Sequence, residues 1–295
     1  MQVGSHQEQR FRASLPVVLT VAEARRENDE MVTLFFALPD VAEAPPQGLD
    51  LDAFRPGRFF MVWLPRLDEK PYTVSYLDGE RLGITVQERG PFSARLCGLA
   101  PGAAVGMRGP FGRGFWDLER HAESPDVALV GGGCGMAVLA PLADRMPRAT
   151  VVQGARSAGV LLYTDRFKDQ VIFTDDGSAG RKGFPTEWLA ERIEAGRLDM
   201  VYTCGPEVMM AAVASLCREV RVPCQASLER YMKCGIGVCG QCDCDGRRVC
   251  VEGPTFSGAE LAEMPSFGRF TRDKTGRRVE VAAADQFPSG PRRQQ

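Results

Sequence analysis

Four cysteines in the last quarter of the chain carry its most specific chemical pattern. They are Cys234, Cys239, Cys242 and Cys250, spaced C-x4-C-x2-C-x7-C within 17 residues. The pattern opens like a plant-type ferredoxin [2Fe–2S] loop, although the fourth thiol follows unusually closely. Gly235, Gly237 and Gly240 let the intervening backbone turn tightly and direct N–H groups at sulfur. The spacing therefore favours an iron–sulfur cluster and one-electron chemistry.

Two other interpretations of these thiols stay open. A zinc site usually pairs two short cysteine knuckles about 12–20 residues apart, which this segment does not do. A redox C-x-x-C, here Cys239 and Cys242, usually stands alone near the start of a βαβ unit. Cys244 is a spare thiol that could replace Cys242 or Cys250 as a ligand. We expect it instead to be a small buried residue.

The composition is that of a globular protein with several domains. Of the 295 residues, 44% are hydrophobic and 25% are charged, and this length predicts two or three domains. The net charge of −2 gives no reason to expect nucleic acid or an anionic membrane surface as a partner. Half of the ten cysteines lie between 234 and 250, which indicates metal binding rather than a disulfide framework.

Other sequence features favour a cytoplasmic protein. No apolar run approaches the ~20 residues that span a bilayer, and segment 1–12 lacks the apolar core of a signal peptide. Ten cysteines would be unusual as a disulfide framework in such a protein, because the cytosol keeps thiols reduced. His6 and His121 are the only histidines, so neither histidine acid–base catalysis nor histidine metal ligation is favoured.

The hydrophobic pattern predicts a multidomain fold of class α/β plus β. Short apolar runs separated by Pro, Gly and Asp in 13–120 predict an antiparallel β-barrel, with strands at 15–21, 31–38, 59–64, 83–87 and 104–108. Alternating strands (127–130, 150–154, 170–174, 200–203) and helices (136–145, 185–195, 207–219) in 121–222 predict a doubly wound parallel α/β domain. Residues 223–256 form the small cysteine module. A disordered tail (1–12) and a C-terminal extension (257–295) complete the predicted division.

A glycine loop at 131–135 lies where a phosphate-binding turn is expected, because it follows a strand and opens a helix. Its glycines would let a pyrophosphate approach the backbone, and the helix N-terminus supplies positive potential. The alternative is a tight strand-to-helix turn without a ligand.

Two further segments follow strands of the same predicted sheet. Cys204, Gly205 and Pro206 come after the strand 200–203, and Asp175 and Asp176 follow the strand 170–174. Ligands of doubly wound sheets bind beyond the carboxyl ends of the strands, so these residues should share a crevice with the glycine loop. Cys204 could lie against a planar ring, and the acidic groups could bind ribose hydroxyls. A buried structural cysteine and a solvated turn are the alternatives.

The barrel offers a second candidate nucleotide site at 70–75. Lys70 provides a cation for phosphate, Tyr72 an aromatic face, and Thr73 and Ser75 hydroxyl groups. A turn at 90–93 could open a helix, 93–99, whose N–H groups cap a pyrophosphate. Taken alone, such residues are also typical of an ordinary strand.

Taken in order, these motifs resemble the ferredoxin–NADP reductase superfamily over about residues 13–256. The motifs are [RK]-x-Y-[ST]-x-S, G-x-x-[ST], GGGxG, TDDGS, [TA]-C-G-P and the terminal cysteine module. Within this superfamily the chain is similar to the electron-transfer subunits of two-component dihydroorotate dehydrogenases. Equivalent subunits of sulfide dehydrogenases, cytosolic hydrogenases and NADH-dependent ferredoxin–NADP oxidoreductases remain an alternative.

The resemblance implies FAD, NAD(P)(H) and a [2Fe–2S] cluster, and it assigns residues to each. FAD would contact Lys70, Pro71, Tyr72, Thr73, Ser75, Thr85, Val86, Gln87, Gly90, Phe92 and Ser93. NAD(P)(H) would contact Gly131, Gly132, Gly133, Gly135, Asp175, Asp176, Cys204, Gly205 and Pro206. The iron ligands would be Cys234, Cys239, Cys242 and Cys250. No catalytic acid or base is implied.

Three positions depart from the superfamily pattern, and one of them is Val138, which stands near where a proline often follows the glycine loop. Lys70 stands where an arginine is common, so the bidentate phosphate contact is lost although the charge remains. Arg156 follows the second strand of the α/β domain, where an acidic residue would favour NADH. Its guanidinium could accept a 2′-phosphate, so the choice between NADH and NADPH stays open.

The implied activity is electron transfer between subunits. Flavin exchanges hydride with NAD(P)H and single electrons with a cluster, so it belongs between them. The implied partner is a catalytic flavoprotein, an FMN dihydroorotate dehydrogenase of pyrimidine biosynthesis, in a hetero-oligomer. A zinc-binding regulatory module on a degenerate, flavin-free reductase fold is the alternative from another class, and the visible spectrum would distinguish the two.

Overall fold

A closed barrel forms the first half of the protein in a computed structural model, which describes residues 15–38, 49, 54–167 and 169–281. Its antiparallel strands pair in the order β1-β2-β5-β4-β3-β6. They are β1 (Val17–Arg26), β2 (Met31–Ala37), β3 (Phe59–Leu64), β4 (Asp68–Leu77), β5 (Arg81–Gln87) and β6 (Ala104–Phe111). Helix α1 (Pro91–Cys97) lies between β5 and β6. Leu34, Phe60 and Ile84 are fully buried in the barrel core.

A seven-stranded sheet of order β10-β9-β8-β7-β11-β12-β15 forms the second half. The strands up to β12 are β7 (Val127–Gly132), β8 (Thr150–Ala155), β9 (Val171–Thr174), β10 (Arg181–Lys182), β11 (Met200–Cys204) and β12 (Cys224–Ser227), all parallel to their neighbours. The helices are α2 (Leu118–His121), α3 (Met136–Arg145), α4 (Pro185–Glu194) and α5 (Glu207–Val220). The alternation of buried strands and amphipathic helices produces this parallel arrangement.

The cysteine module is built onto the far edge of this sheet. The elements of this module and of the C-terminal extension are β13 (Asp243–Cys244), β14 (Arg247–Arg248), α6 (Val249–Glu252), β15 (Thr255–Ser257), α7 (Gly258–Ala262), β16 (Phe270–Arg272) and β17 (Arg278–Glu280). Strand β15 pairs antiparallel with β12. Phe59 and Met61 on the outer face of β3 share a hydrophobic cluster with Cys242 and Cys250, so this module packs directly on the barrel.

The predicted fold class is confirmed, and strand 59–64 and helix 136–145 occur as predicted. The helix predicted at 93–99 begins earlier, at Pro91, because proline suits the first helical turn. The sequence did not indicate that β12, inside 223–256, and β15, at the end of that segment, are strands of the large sheet. The domain division stays a prediction, and its tail 1–12 lies outside the described residues. Within the described part of the chain, no helix is both long and apolar enough to cross a membrane.

Candidate functional site

The cysteine loop, residues 234–242, owes its shape to glycine. Gly235, Gly237 and Gly240 have φ values of +72°, +80° and +69°, a region that side chains with a Cβ adopt at a cost. A Cβ at Gly235 would also lie 3.0 Å from the Met61 side chain of β3. These turns reverse the chain around its own cysteines and place the loop against the barrel.

Backbone N–H groups and a neighbouring thiol favour thiolates in this loop. Burial opposes ionisation of Cys234, but N–H groups of Cys239, Ile236 and Val238 outweigh it and lower its pKa to about 7. A hydrogen bond with the Cys250 thiol lowers the pKa of Cys242 to about 6. The same contact raises the pKa of Cys250.

The four thiols lie in two pairs, as a two-iron cluster requires. Cys234 contacts Cys239, while the Cys250 N–H donates to Cys242 Sγ at 3.4 Å. In the described residues, no three His, Cys, Asp or Glu side chains are arranged to hold a single metal ion. A [2Fe–2S] cluster instead takes two thiolates on each iron. Two pairs of thiols therefore fit the ligand set of a [2Fe–2S] cluster.

Cys244 belongs to a different environment from these thiols. It is 3% exposed, as expected of a small buried residue, and burial raises its pKa. Arg230 Nη2 donates to its sulfur at 3.3 Å. The side chain of Arg230 is itself only 2% exposed and forms an ion pair with Glu207, the first residue of α5. Glu207 also accepts from the Gly268 N–H at 2.9 Å, so one carboxylate joins three segments.

The barrel holds the cysteine loop through two cationic side chains. Arg108 of β6 donates to the Cys234 carbonyl at 2.9 Å and forms an ion pair with Glu69. Lys70 of β4 donates to the Tyr231 hydroxyl at 2.9 Å, and its Nζ lies 4.6 Å from that ring's centroid. Lys70, the predicted phosphate-binding residue, therefore contacts a residue that lies only three positions before Cys234, the first of the four cysteines. The positive charge of Lys70, which we expect at the flavin site, thus also helps to hold the segment that leads into the cysteine loop.

The other predicted flavin residues of the barrel lie on or beside β4. Tyr72 is stacked on Phe92, with ring centroids 6.4 Å apart, and the Thr73 hydroxyl donates to the Arg58 carbonyl. Pro71 pairs with Met61 across β3 and β4. The Ser93 hydroxyl accepts from the Gly90 N–H at 3.0 Å and thereby closes its own turn. Phe92 is buried and Tyr72 is half-buried, whereas Gly90 has open space where a Cβ would be.

Ser75 and Thr85 are predicted flavin contacts that the structure places in a buried hydroxyl network. Their hydroxyls are 2.7 Å apart, and Thr85 also contacts Thr33 at 2.8 Å and the Tyr163 hydroxyl. Tyr163 belongs to the sheet half, so this network joins the two halves. Val86 is fully buried in the barrel core, and Gln87 donates to Glu30 at 2.7 Å. Contacts of these residues with a flavin stay a prediction.

The glycine loop packs backbone to backbone on the segment after β11. A Cβ at Gly132 would lie 2.6 Å from Pro206, and one at Gly135 would lie 2.2 Å from the Cys204 carbonyl. Gly133, at φ +51°, has open space where its Cβ would be. The structure therefore brings the predicted loops together and leaves one face of the glycine loop accessible. That open backbone fits the approach of a pyrophosphate.

The thiols of this crevice are protonated. Burial is the main cause that raises the pKa of Cys134 to about 12 and that of Cys204 well above its ordinary value. The charge of Glu229 raises both further, so this carboxylate faces the same crevice. Asp175 and Asp176 are exposed after β9, and Asp176 accepts from the Ser178 N–H and hydroxyl.

Arg156 lies beside these acidic residues, and the structure gives it a partner. Its Nη2 is 2.7 Å from a carboxylate oxygen of Glu30 in the barrel, although its side chain is 71% exposed. Sequence reasoning missed this pair because Glu30 is 126 residues away. Arg108, Tyr231 and Arg230 help to position the cysteine loop and were missed because their bonding partners lie 126, 161 and 23 residues away, although Arg230 and Tyr231 closely precede Cys234.

Comparisons with known proteins agree with this geometry. Residues 229–262 match the family model of the iron–sulfur cluster binding domain of dihydroorotate dehydrogenase B. An NADH-dependent reduced ferredoxin–NADP oxidoreductase structure is similar at a TM-score of 0.68 and 26% identity, covering 85% of this chain and 93% of the other. Phthalate dioxygenase reductase, described as transferring electrons from pyridine nucleotides to [2Fe–2S], shares the fold at a TM-score of 0.55 and 19% identity. The match covers 77% of this chain and 85% of the other.

Curated relatives establish the family. A protein of Methanothermobacter thermautotrophicus is 44% identical over 278 residues, 90% of this chain and 98% of the relative. One of Thermococcus kodakarensis is 46% identical over 218 residues, 72% and 88% of the two chains. Both are named probable dihydroorotate dehydrogenase B (NAD(+)), electron transfer subunit. With this identity over nearly whole relatives, the chain belongs to the family of dihydroorotate dehydrogenase B electron transfer subunits.

Proposed function

We propose that this protein is an iron–sulfur flavoprotein oxidoreductase subunit that links NAD(H), FAD and a [2Fe–2S] cluster to a catalytic dihydroorotate dehydrogenase subunit. The observation that carries the proposal is the position of the cysteine loop. Arg108 binds the Cys234 carbonyl, and Lys70, the candidate flavin phosphate ligand, binds Tyr231. A cluster site and a flavin site thus share one support.

The residues have separate tasks in this proposal. Lys70, Tyr72 and the backbone near Gly90 bind and orient FAD, and the open face of Gly133 receives the nucleotide pyrophosphate. When bound, FAD would supply the chemistry that exchanges hydride with the nicotinamide and single electrons with the cluster. Cys234, Cys239, Cys242 and Cys250 hold that cluster. The buried, protonated Cys204 provides an uncharged surface beside the nucleotide.

Two observations support NAD(H) rather than NADP(H). The names of the curated relatives specify NAD(+). In addition, Arg156 is the residue that could bind a 2′-phosphate, and it forms an ion pair with Glu30. Binding of a 2′-phosphate would have to compete with that carboxylate.

The exit for electrons lies on the cysteine loop. Cys239 is exposed, and Ile236 and Val238 beside it are 48% and 79% exposed. Exposed apolar side chains next to a cluster ligand suit a protein interface. In the proposed pathway, a catalytic FMN subunit binds here and exchanges electrons during pyrimidine biosynthesis. Ten cysteines with no disulfide among them also fit the cytoplasmic location that we propose.

The test combines spectroscopy with a coupled assay. The purified protein should show flavin and iron–sulfur bands, acid-labile sulfide and two irons per chain. Mixed with the dihydroorotate-oxidising subunit of the same organism, it should make NAD+ reduction dependent on dihydroorotate. A colourless, zinc-containing protein would refute the proposal. A coloured protein that reduces ferredoxin or sulfur compounds, but never couples to dihydroorotate, would instead support the related oxidoreductases.

A further inference from the structure

The β16–β17 hairpin lies directly against the cysteine loop. Gln241, between Cys239 and Cys242, donates to the Asp273 carbonyl in the hairpin turn at 2.7 Å. Arg272 of β16 is 3.5 Å from Asp243, the residue after Cys242. The hairpin also lies beyond residues 229–262, which match the cluster-binding family. It therefore lies at the edge of the proposed electron exit, outside the segment that matches the cluster-binding domain.

The turn of this hairpin has a fixed shape. The Asp273 carboxylate accepts from the Thr275 N–H at 2.8 Å, the Thr275 hydroxyl at 2.6 Å and the Arg277 N–H at 3.1 Å. Gly276 provides the left-handed position, at φ +90°. Because these bonds hold the backbone, Lys274 and Arg277 are directed into solvent, and the Arg277 side chain is 78% exposed.

The hairpin is positively charged, in contrast with the whole chain. Segment 266–281 has five basic and two acidic side chains, a formal charge of +3, whereas the chain carries −2. Within the described part of the chain, Lys274 and Arg278 make no ion pair, and the Arg277–Asp273 contact is long, at 3.7 Å. Exposed Lys233 continues the basic character on the other side of the loop, where Arg248 is paired with Glu252 at 3.7 Å. An apolar centre at Ile236 and Val238 thus has a basic rim.

We infer that the β16–β17 hairpin is an electrostatic docking element for the catalytic flavoprotein subunit, whose facing surface is rich in carboxylates. This inference rests on the proposed function, because it assigns a surface to that partner. A charged rim around an apolar centre accelerates encounter and orients the partner, and its effect weakens with salt. The hairpin would guide the partner toward Cys239, the exposed ligand.

The experiment compares charge reversal at two places in the holoprotein. K274E/R277E reverses two charges of the hairpin turn. R120E/R218E reverses two exposed charges that line a cavity at the amino-terminal edge of the sheet, away from the cysteine loop. The apparent KM for the catalytic subunit and its salt dependence are measured in the dihydroorotate-to-NAD+ assay. NADH-to-dye reduction and the cluster's reduction potential are measured on the same samples.

The hairpin variant should raise the KM for the partner about tenfold at low ionic strength and flatten its salt dependence. K274Q/R277Q should give an intermediate effect, while R120E/R218E and all NADH-to-dye rates stay at wild-type values. Equal salt dependence in the wild type and K274E/R277E would overturn the inference. A shifted cluster potential with unchanged KM would also overturn it, since the charges would then tune the cluster. Failure of the proposed function looks different, because wild-type protein would show no coupling at all.

Discussion

The cysteines of the loop and those of the crevice belong to one chain but have opposite acid–base behaviour. In the loop, hydrogen bonds lower the pKa of Cys234 to about 7 and that of Cys242 to about 6. In the crevice, burial raises the pKa of Cys134 to about 12 and that of Cys204 well above its ordinary value. Left-handed glycine turns direct several N–H groups at one sulfur, whereas a sheet edge offers the thiol a dry environment.

This comparison shows how backbone conformation decides what a cysteine does. A thiolate surrounded by N–H donors can ligate iron, because ligation requires the deprotonated form. A neutral buried thiol is a small polarizable surface against which a planar ring can pack. The two groups should therefore respond differently to the same substitution.

The largest effect, on iron content and electron transfer, is expected from Cys239→Ser, which removes one iron ligand. Iron and acid-labile sulfide should fall to near zero, and transfer to the catalytic subunit should drop at least about 100-fold. FAD content and NADH-to-dye reduction should remain within about twofold of the wild type, because their residues lie elsewhere. Cys97→Ser, on α1, is the matched control and should retain its iron. Loss of FAD with intact iron would contradict the assignment of both sites.

The second prediction concerns the contact that joins the two regions. Glu207 follows the crevice segment 204–206, and its carboxylate is paired with buried Arg230 of the cysteine module. Glu207→Gln keeps the shape but leaves the guanidinium without a counter-charge, which should cost about 3 kcal/mol of unfolding free energy. Urea unfolding of the holoprotein measures this loss. Glu219→Gln, exposed on the same helix, should change stability by less than about 0.5 kcal/mol. Equal effects of the two substitutions would show that the buried pair adds nothing.

The sequence predicts these two regions unequally well. The cluster ligands could be predicted because all four cysteines lie within 17 residues, so that their spacing alone indicates an iron–sulfur site. The crevice could be predicted because the carboxyl ends of parallel strands lie along one edge of the sheet, which brings together the residues that follow them. The contacts that hold the cysteine segment in place could not be predicted, since they join residues that are far apart in the sequence and share no recognisable motif. Arg113 binds Glu260 across 147 positions, and Arg108 binds the Cys234 carbonyl across 126.

Hydroxyl groups show a second limit of sequence reasoning. Thr73, Ser75 and Thr85 have the residue types expected beside a flavin. The structure uses Ser75 and Thr85 to connect the barrel with Tyr163 of the sheet half. A serine on a strand is equally suited to a ligand and to a neighbouring hydroxyl, and only the packing of the two halves decides between them.

The third prediction tests the crevice through Cys204→Ala. Removing the sulfur leaves space beside the predicted nucleotide site, so NADH-to-dye reduction should slow about tenfold through poorer alignment. Iron content should stay at the wild-type value, opposite to the result for Cys239. Cys217→Ala, a buried thiol of α5, controls for a cavity outside the crevice. If the Cys204 variant instead loses iron, the division into two cysteine groups is wrong.

The smallest effect should come from Cys244→Ser, which sharpens the comparison inside the module itself. Cys244 is two residues from Cys242, yet its burial and raised pKa resemble those of the crevice thiols. A serine hydroxyl can still accept the hydrogen bond from Arg230, so unfolding free energy should change by no more than about 1 kcal/mol. Cys244→Ala lacks that acceptor and should be the less stable of the two. Iron and labile sulfide per chain should be unchanged in both, and their loss would make Cys244 a ligand in place of Cys242 or Cys250.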